Sequence, residues 1–330
     1  MKLLSSRRRG SSAAATETLS LYYASDVHGS ERCWRKFLKA ASFYGVKSLI
    51  MGGDLTGKAV VPIARTSNGY KARILGEDRK ASSEEELEQM FETIRFNGMY
   101  PWVADEEEIA AHAEDAERRG ALFDEVMAAE VRRWVALADE RLAGTDTAAY
   151  VMAGNDDPWF VDSILESGET LQACGDRIVR AGEHEMLSCS YANPTPWDSP
   201  RELDEDALYA KLRALADQLE KPETAIFNLH APPHDSGLDR ATKIDEEFKI
   251  VLEGGEVADV PVGSTAVRQI IEECQPLLAL HGHIHESRGE ATIGRTLAIN
   301  TGSEYNTGRI HGAIVKLAGD QVTQHQFVIG

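Results

Sequence analysis

Seven side chains able to bind divalent cations stand just after short apolar runs in this chain. In order they are Asp26 and His28, Asp54, Asn155, His230, and His283 and His285. Imidazole, carboxylate and amide donors with no thiolate among them suit Mn, Fe, Zn or Ni rather than Cu(I). Two neighbouring divalent ions take about that many donors from a protein, with water and substrate completing their coordination. A carboxylate such as Asp54 can give one oxygen to each ion. His281 alternates with His283 and His285, and an ideal strand would set all three on one face. A single three-histidine zinc site is the competing reading. The carboxylates and the amide favour two ions, which leaves His281 as a packing or supporting residue.

The elements that must carry these residues are legible from pattern. Leu19–Ser25 and Val46–Met51 are β-rich runs that end at Asp26 and at Gly52-Gly53-Asp54. Between them Trp34, Phe37, Leu38 and Ala41 recur at helical spacing. Strand, helix and strand in this order build a parallel sheet. Tyr150–Ala153, Thr224–Leu229 and Leu277–Leu280 are three more such runs, ending at Gly154-Asn155, His230 and His281. Ligands of open α/β sheets sit beyond the carboxyl ends of strands. Thr296–Asn300, Gly312–Leu317 and Val322–Ile329 are short strands with glycine-rich joints and suggest a second sheet.

Taken together, Asp26-Val-His28, Gly53-Asp54, Gly154-Asn155, His230 and Gly282-His283-Ile-His285 resemble the calcineurin-like metallophosphoesterase family. The resemblance spans roughly 20–60 and 150–315. It implies an α/β fold, a four-layer α-β-β-α sandwich with two mixed sheets. It also implies that Asp26, His28 and His285 hold one ion, that Asn155, His230 and His283 hold the other, and that Asp54 bridges them. The implied activity is hydrolysis of a small phosphoester, a diester or a nucleotide-like one, by a metal-bridging hydroxide.

The chain departs from the family pattern at one position. The block that often reads Gly-Asn-His, whose histidine can protonate the leaving oxygen, is Gly154-Asn155-Asp156-Asp157 here. An ordinary aspartate is ionised at neutral pH, and neighbouring cations lower its pKa further, so Asp156 is a poor acid. Asp157 is a candidate for orienting a ligand from behind. His234, in His-Ala-Pro-Pro-His, is a candidate replacement proton donor. Asn193 and Trp197 are candidate cleft residues, and Arg309 is a candidate phosphate clamp. Gly52 to Ala59 nearly matches a phosphate-binding loop, but Ala59 stands where a hydroxyl should hold magnesium, and an acid inside an anion cradle repels phosphate. A metal-ligand role for Asp54 explains the segment better.

Composition bounds the rest. Of 330 residues, 35 are Lys or Arg and 54 are Asp or Glu, a net charge of -19. That balance opposes contact with long nucleic acid, which needs basic side chains to displace counterions. No run of 18 apolar residues exists to span a membrane as a helix. The four cysteines form no CxxC pair, and isolated thiols of this kind suit a reducing, cytoplasmic setting. Residues 1–17, with Arg7-Arg8-Arg9 and no following apolar stretch, read as a disordered tail rather than an export signal. Residues 65–148 read as a helical insertion into a domain made of 18–64 and 149–330. Within it, 77–146 carries 20 acidic and 8 basic residues, -12 of the -19. Solvated helix faces explain that acidity; a cap over the site or an arm for homo-oligomerisation is the sharper reading. A rival class for the whole chain is a metal-bound interaction module with little turnover, its acidic insertion recruiting partners.

Overall fold

The computed structural model describes residues 18–330 except Glu246; the expected disordered tail at 1–17 lies outside the described residues. Two six-stranded sheets lie face to face. The first runs edge to edge as Gln321–Ile329, His311–Ala318, Thr18–Ala24, Ser48–Met51, Ala148–Val151 and Leu171–Ala173. The second runs as Gly289–Ile293, Thr296–Asn300, Leu278–His281, Ile226–Leu229, His184–Cys189 and Ile178–Ala181. The first sheet is parallel from Thr18–Ala24 to its Leu171–Ala173 edge and antiparallel at the other end, whereas the second has parallel central strands and an antiparallel strand at each edge.

Successive side chains of a strand point to opposite faces, and the first strand uses both. Leu19, Leu21 and Tyr23 enter the core between the sheets with Ile50, Tyr150, Met186, Ile226, Leu280 and Val315. Tyr22 and Ala24 face outward into a second core under the helix Glu31–Tyr44. Helices Glu205–Ala216 and Thr265–Cys274 cover the outer face of the other sheet. The result is the expected four-layer α-β-β-α sandwich with two mixed sheets.

Two expectations need correction. The three C-terminal strands do not share a sheet: Thr296–Asn300 pairs with Leu278–His281, whereas His311–Ala318 pairs with Thr18–Ala24 in the first sheet. Alternation tells a strand which face to bury, not which neighbour to join. The insertion is also not purely helical. Strands Gly69–Ile74, Glu77–Ala81 and Met99–Ala104 lie within it and join Ala59–Thr66, most of which precedes residue 65, in a four-stranded sheet around its own small core. Its helical part is broken at Asp115, which accepts from the N–H groups of Glu117 and Arg118 and starts the helix Ala116–Leu142.

The second half of that long helix belongs to the main sandwich. Val131, Trp134, Val135, Ala138 and Leu142 pack into the core under Glu31–Tyr44. Trp34 and Trp134 stack at 5.0 Å, and the Trp34 indole N–H donates to the Trp134 carbonyl at 3.1 Å. Beside them buried Glu31 and Glu130 both pair with Arg133, and Glu130 also takes Arg95 of the insertion at 2.8 Å. The insertion is therefore welded to the sandwich. Trp134→Ala should cost about 3–5 kcal/mol in urea denaturation. A loss below about 1 kcal/mol would mean that the long helix is not part of the cooperative core.

Candidate metal centre

The polar residues singled out at the strand ends converge at one end of the sandwich. Backbone hydrogen bonds lock the loops that carry them. After the first two strands the loops run side by side, Asp26 N–H donating to Gly53 O (3.0 Å) and His28 N–H to Asp54 O (2.9 Å). The second sheet joins them where His283 N–H donates to both oxygens of Asp26, at 3.0 and 3.1 Å. Ser303 Oγ donates to Asp26 O at 2.6 Å.

Four of the seven candidate ligands sit in the left-handed backbone region: Asp26 (φ 58°), His28 (φ 39°), Asp54 (φ 51°) and His283 (φ 67°). Such conformations are strained for residues with a side chain and persist where the surroundings over-determine them. They turn each side chain sharply off its strand end into a common space. The close approach also demands glycine nearby. A Cβ on Gly154 would lie 2.2 Å from Asp54 Oδ1, and one on Gly282 would lie 2.3 Å from Asp26 Oδ2.

Two groups could hold a metal ion: Asp26, His28 and His285, and Asp54, His230 and His283. A third, His28, Asp54 and Asp156, overlaps both. The two Asp54 oxygens divide between the first two groups. Oδ2 faces His28 Nε2 at 3.6 Å and Oδ1 faces His230 Nε2 at 3.3 Å. His285 Nε2 lies 3.4 Å from Asp26 Oδ1 and 3.1 Å from His28 Nε2.

The donor chemistry fits a cation. His230 Nδ1 donates to the Gly52 carbonyl at 2.8 Å, which leaves Nε2 with a lone pair when the ring is neutral. That lone pair faces Asn155 Oδ1 at 2.8 Å and Asp54 Oδ1, neither of which can donate. The Asn155 amide is oriented by its own donation to Ser199 Oγ at 2.7 Å. Three lone pairs meeting in a buried space need a proton or a metal ion between them.

On the protein's own charges the His230 ring takes the proton. Burial disfavours the imidazolium, but Asp54 and Asp26 outweigh it and push His230 up to about 10. Burial opposes the Asp54 charge, yet His230, His28 and His283 hold its carboxyl far below the usual range. Asp26 is likewise brought to about 2, burial being overcome by His285 and His230. Burial pulls His28 and His283 down to about 4, so both offer neutral nitrogens. A field this hungry for positive charge is what a cation site presents.

The structure places the remaining candidates unevenly. Asp157 is fully buried behind Asp54, accepting from Leu55 N–H, Thr56 N–H and Oγ1, and Gly154 N–H. It ties the Asp54 loop to the Asn155 loop. Burial and the nearby Asp54 charge push it up to about 6. Asp156 lines the cleft with its carboxylate 2.5 Å from Lys58 Nζ and 4.0 Å from His28 Nδ1. The lowered value expected for it relied on metal cations; burial and Asp54 raise it on the protein's own charges.

Trp197 lines the cleft and is exposed. Asn193 does not line it and instead donates to Val262 O at 3.1 Å. His234 also lies outside the lining, 3.8 Å from Asp239, because its prolines turn it toward the 235–239 loop. Arg309 is turned to Glu304 at 3.6 Å and is not in the cleft. His281 is buried with Nδ1 donating to the Leu229 and Ala231 carbonyls, and the strand ends there. The alternation with His283 is lost, so the three histidines do not share a face.

Other residues of the cleft carried little sequence signal. The cavity of about 570 Å³ is walled by Pro194 to Trp197 on one side and by Ala241 to Ile244, Val260 and Val262 on the other. Among the described residues none of its lining comes from 65–148, so that segment does not cap it. Tyr305 packs against the His28 ring at 4.7 Å. Buried Arg201 holds the Asp157 and Pro158 carbonyls and Asp162, fixing the turn after Asn155. Nothing in the pattern around Arg201 marks it as buried.

Comparisons with known proteins add fold and a partial relative. No family model matches the chain. It is 33% identical over 129 residues to the uncharacterized protein MJ1162 of Methanocaldococcus jannaschii. The match takes in 38% of this chain and 51% of that protein, so the chain spans about half the length of this curated relative. The crystal structure of TT1561 of Thermus thermophilus superposes with TM-score 0.51 at 12% identity, over 90% of this chain and 94% of that one. Another crystal structure gives TM-score 0.53 at 14% identity, over 95% of this chain and 99% of the other. These likenesses extend across both sheets and establish a shared α/β fold. None of the helices among the described residues is long and apolar enough to cross a membrane.

Gly154→Ala should drive Asp54 from its place and weaken binding of manganese or zinc about tenfold or more, read by isothermal titration. Gly120→Ala, in open space on the long helix, should leave metal binding unchanged and stabilise by about 0.5–1 kcal/mol. Equal metal binding in Gly154→Ala and the wild type would count against the site.

Proposed function

We propose that this chain is a dinuclear metal-dependent phosphohydrolase of the calcineurin-like metallophosphoesterase type, acting on a small phosphoester, a diester or nucleotide-like one. One ion is assigned to Asp26, His28 and His285, the other to Asn155, His230 and His283, with Asp54 between them. The observation that carries this reading is the division of the two Asp54 oxygens between opposing imidazoles from different loops. A carboxylate buried so deeply, with one oxygen toward each cluster, is suited to bridging. Manganese, iron, zinc or nickel fits the nitrogen and oxygen donors.

Two such ions, when bound, would supply Lewis acidity toward phosphoryl oxygens and an activated water. The chain's own groups do the positioning. Gly52 O sets the His230 ring, Ser199 sets the Asn155 amide, and Asp157 fixes the backbone on which Asp54 turns. The cleft suits a small ester, with Trp197 offering a flat apolar surface beside the charged end. The acidic surface disfavours long nucleic acid.

The residue directly after Asn155 is Asp156 rather than a histidine that could deliver a proton to the leaving oxygen, and Asp156 is committed to Lys58. Catalysis then depends on the leaving group's own ability to carry charge. With manganese, bis(4-nitrophenyl) phosphate should be hydrolysed, and Asp54→Asn should lose more than about a hundredfold, beyond the loss of a supporting partner. Absence of activity with each of the four metals would overturn the assignment. Across a series of esters, the rate should fall steeply as the leaving group becomes more basic. A flat series with chemistry rate-limiting would show that a proton donor is present after all.

A further inference from the structure

The cleft holds one feature that the metal ligands do not explain. Its described lining contains two lysines, Lys58 and Lys243. Lys243 is drawn outward to Glu253 at 2.9 Å. Lys58 is drawn inward, its ammonium 2.5 Å from Asp156, directly beside the clustered imidazoles. Its side chain lines the cleft and is 58% exposed. An ammonium has three N–H donors, and Asp156 engages one face of it. Lys58 lines the same cavity as Asp54, His28 and Asn155.

The backbone that delivers Lys58 is constrained by the insertion. Gly57 N–H donates to the buried Tyr100 hydroxyl at 2.6 Å, and Tyr100 lies on strand Met99–Ala104. A Cβ on Gly57 would come within 2.2 Å of Gly98 O, so the two segments are pressed together there. Lys58 stands at this junction, immediately before strand Ala59–Thr66. The insertion thus meets the catalytic end of the molecule at the lysine, although it lines none of the described cleft.

We infer that Lys58 is the phosphate-binding cation of this site, held in place by Asp156 and by the Gly57–Tyr100 contact; this rests on the phosphohydrolase reading above. The charge balance asks for it. Asp26 and Asp54 are buried beside the cleft and Asp156 lines it, so an incoming phosphoryl group meets carboxylates there, and Lys58 is the described lining cation set among them. A lysine ammonium beside the metals supplies a point charge and donors to a non-bridging phosphoryl oxygen. Asp156 acts here as a positioning residue that keeps a long, flexible stem from swinging to solvent.

The test uses the full-length, manganese-loaded protein with inorganic phosphate as the calorimetric probe and bis(4-nitrophenyl) phosphate as the kinetic one. Lys58→Met should weaken phosphate binding about tenfold and raise KM by a similar factor, with manganese uptake unchanged. Lys58→Arg should recover most of the phosphate affinity. Tyr100→Phe, which removes the anchor under Gly57, should give a smaller rise in KM with kcat nearly intact. Phosphate affinity in Lys58→Met within twofold of wild type, while the wild type remains active, overturns the role of the lysine alone. A wild type that takes up manganese yet neither binds phosphate nor cleaves ester overturns this inference and the phosphohydrolase reading together.

Discussion

A carboxylate buried among carboxylates must be matched by positive charge, and that requirement governs this molecule. Asp26, Asp54, Asp156 and Asp157 lie within one small region at the strand ends, three of them nearly inaccessible to water. Isolated buried charges are very costly, so the surrounding groups must supply hydrogen bonds, imidazolium or metal. Asp157 is satisfied by backbone N–H groups and the Thr56 hydroxyl. Asp26 accepts from a single backbone N–H, that of His283, and Asp54 from that of Asp156, and the histidines turned toward both offer lone pairs as readily as protons. The two sheets meet so that loops from both can answer this demand. The left-handed turns at Asp26, His28, Asp54 and His283 are the local strain that such convergence entails.

That strain also separates what could be read in the sequence from what could not. The convergence of the candidate ligands was legible because each follows an apolar run, and apolar runs reveal strands. The four-layer arrangement was accessible through the resemblance that those ligand blocks carry. The positions of the C-terminal strands were not. Gly312–Leu317 alternates in the manner of a half-buried strand, but partner choice depends on chain reversal in space, and His311–Ala318 crosses to the first sheet beside Thr18–Ala24. Strand Glu77–Ala81 is polar on nearly every residue and carried no signal, since it is an exposed edge of the insertion sheet.

The misplaced site candidates share one cause. His234, Asn193 and Arg309 were chosen for residue type and nearness to a motif, and in each case a local partner took the side chain: Asp239, the Val262 carbonyl and Glu304. Conversely, Lys58 was visible only as part of a phosphate-loop pattern that fails at Ala59. Its environment comes from Asp156, far along the chain, and from Tyr100 through Gly57. Long-range pairing of this kind leaves no trace in spacing.

Asp156, standing where the resembled pattern often has histidine, becomes intelligible in this light. An imidazole next to Asn155 would serve as a mobile proton source. An ionised aspartate there does not, but it can fix the ammonium of Lys58 beside the cleft. The pair is close to neutral in sum, so it does not disturb the field that the metal ligands require, while the lysine end is presented to an incoming anion. The long helix and the small sheet of the insertion then have a mechanical role. Trp134 and Glu130 fasten them to the sandwich, and Tyr100 carries that rigidity to the residue before Lys58. If the proposed phosphohydrolase reading holds, a site arranged this way favours charge accommodation over proton delivery, and its specificity would rest on how a phosphoryl group is held rather than on how its leaving oxygen is assisted.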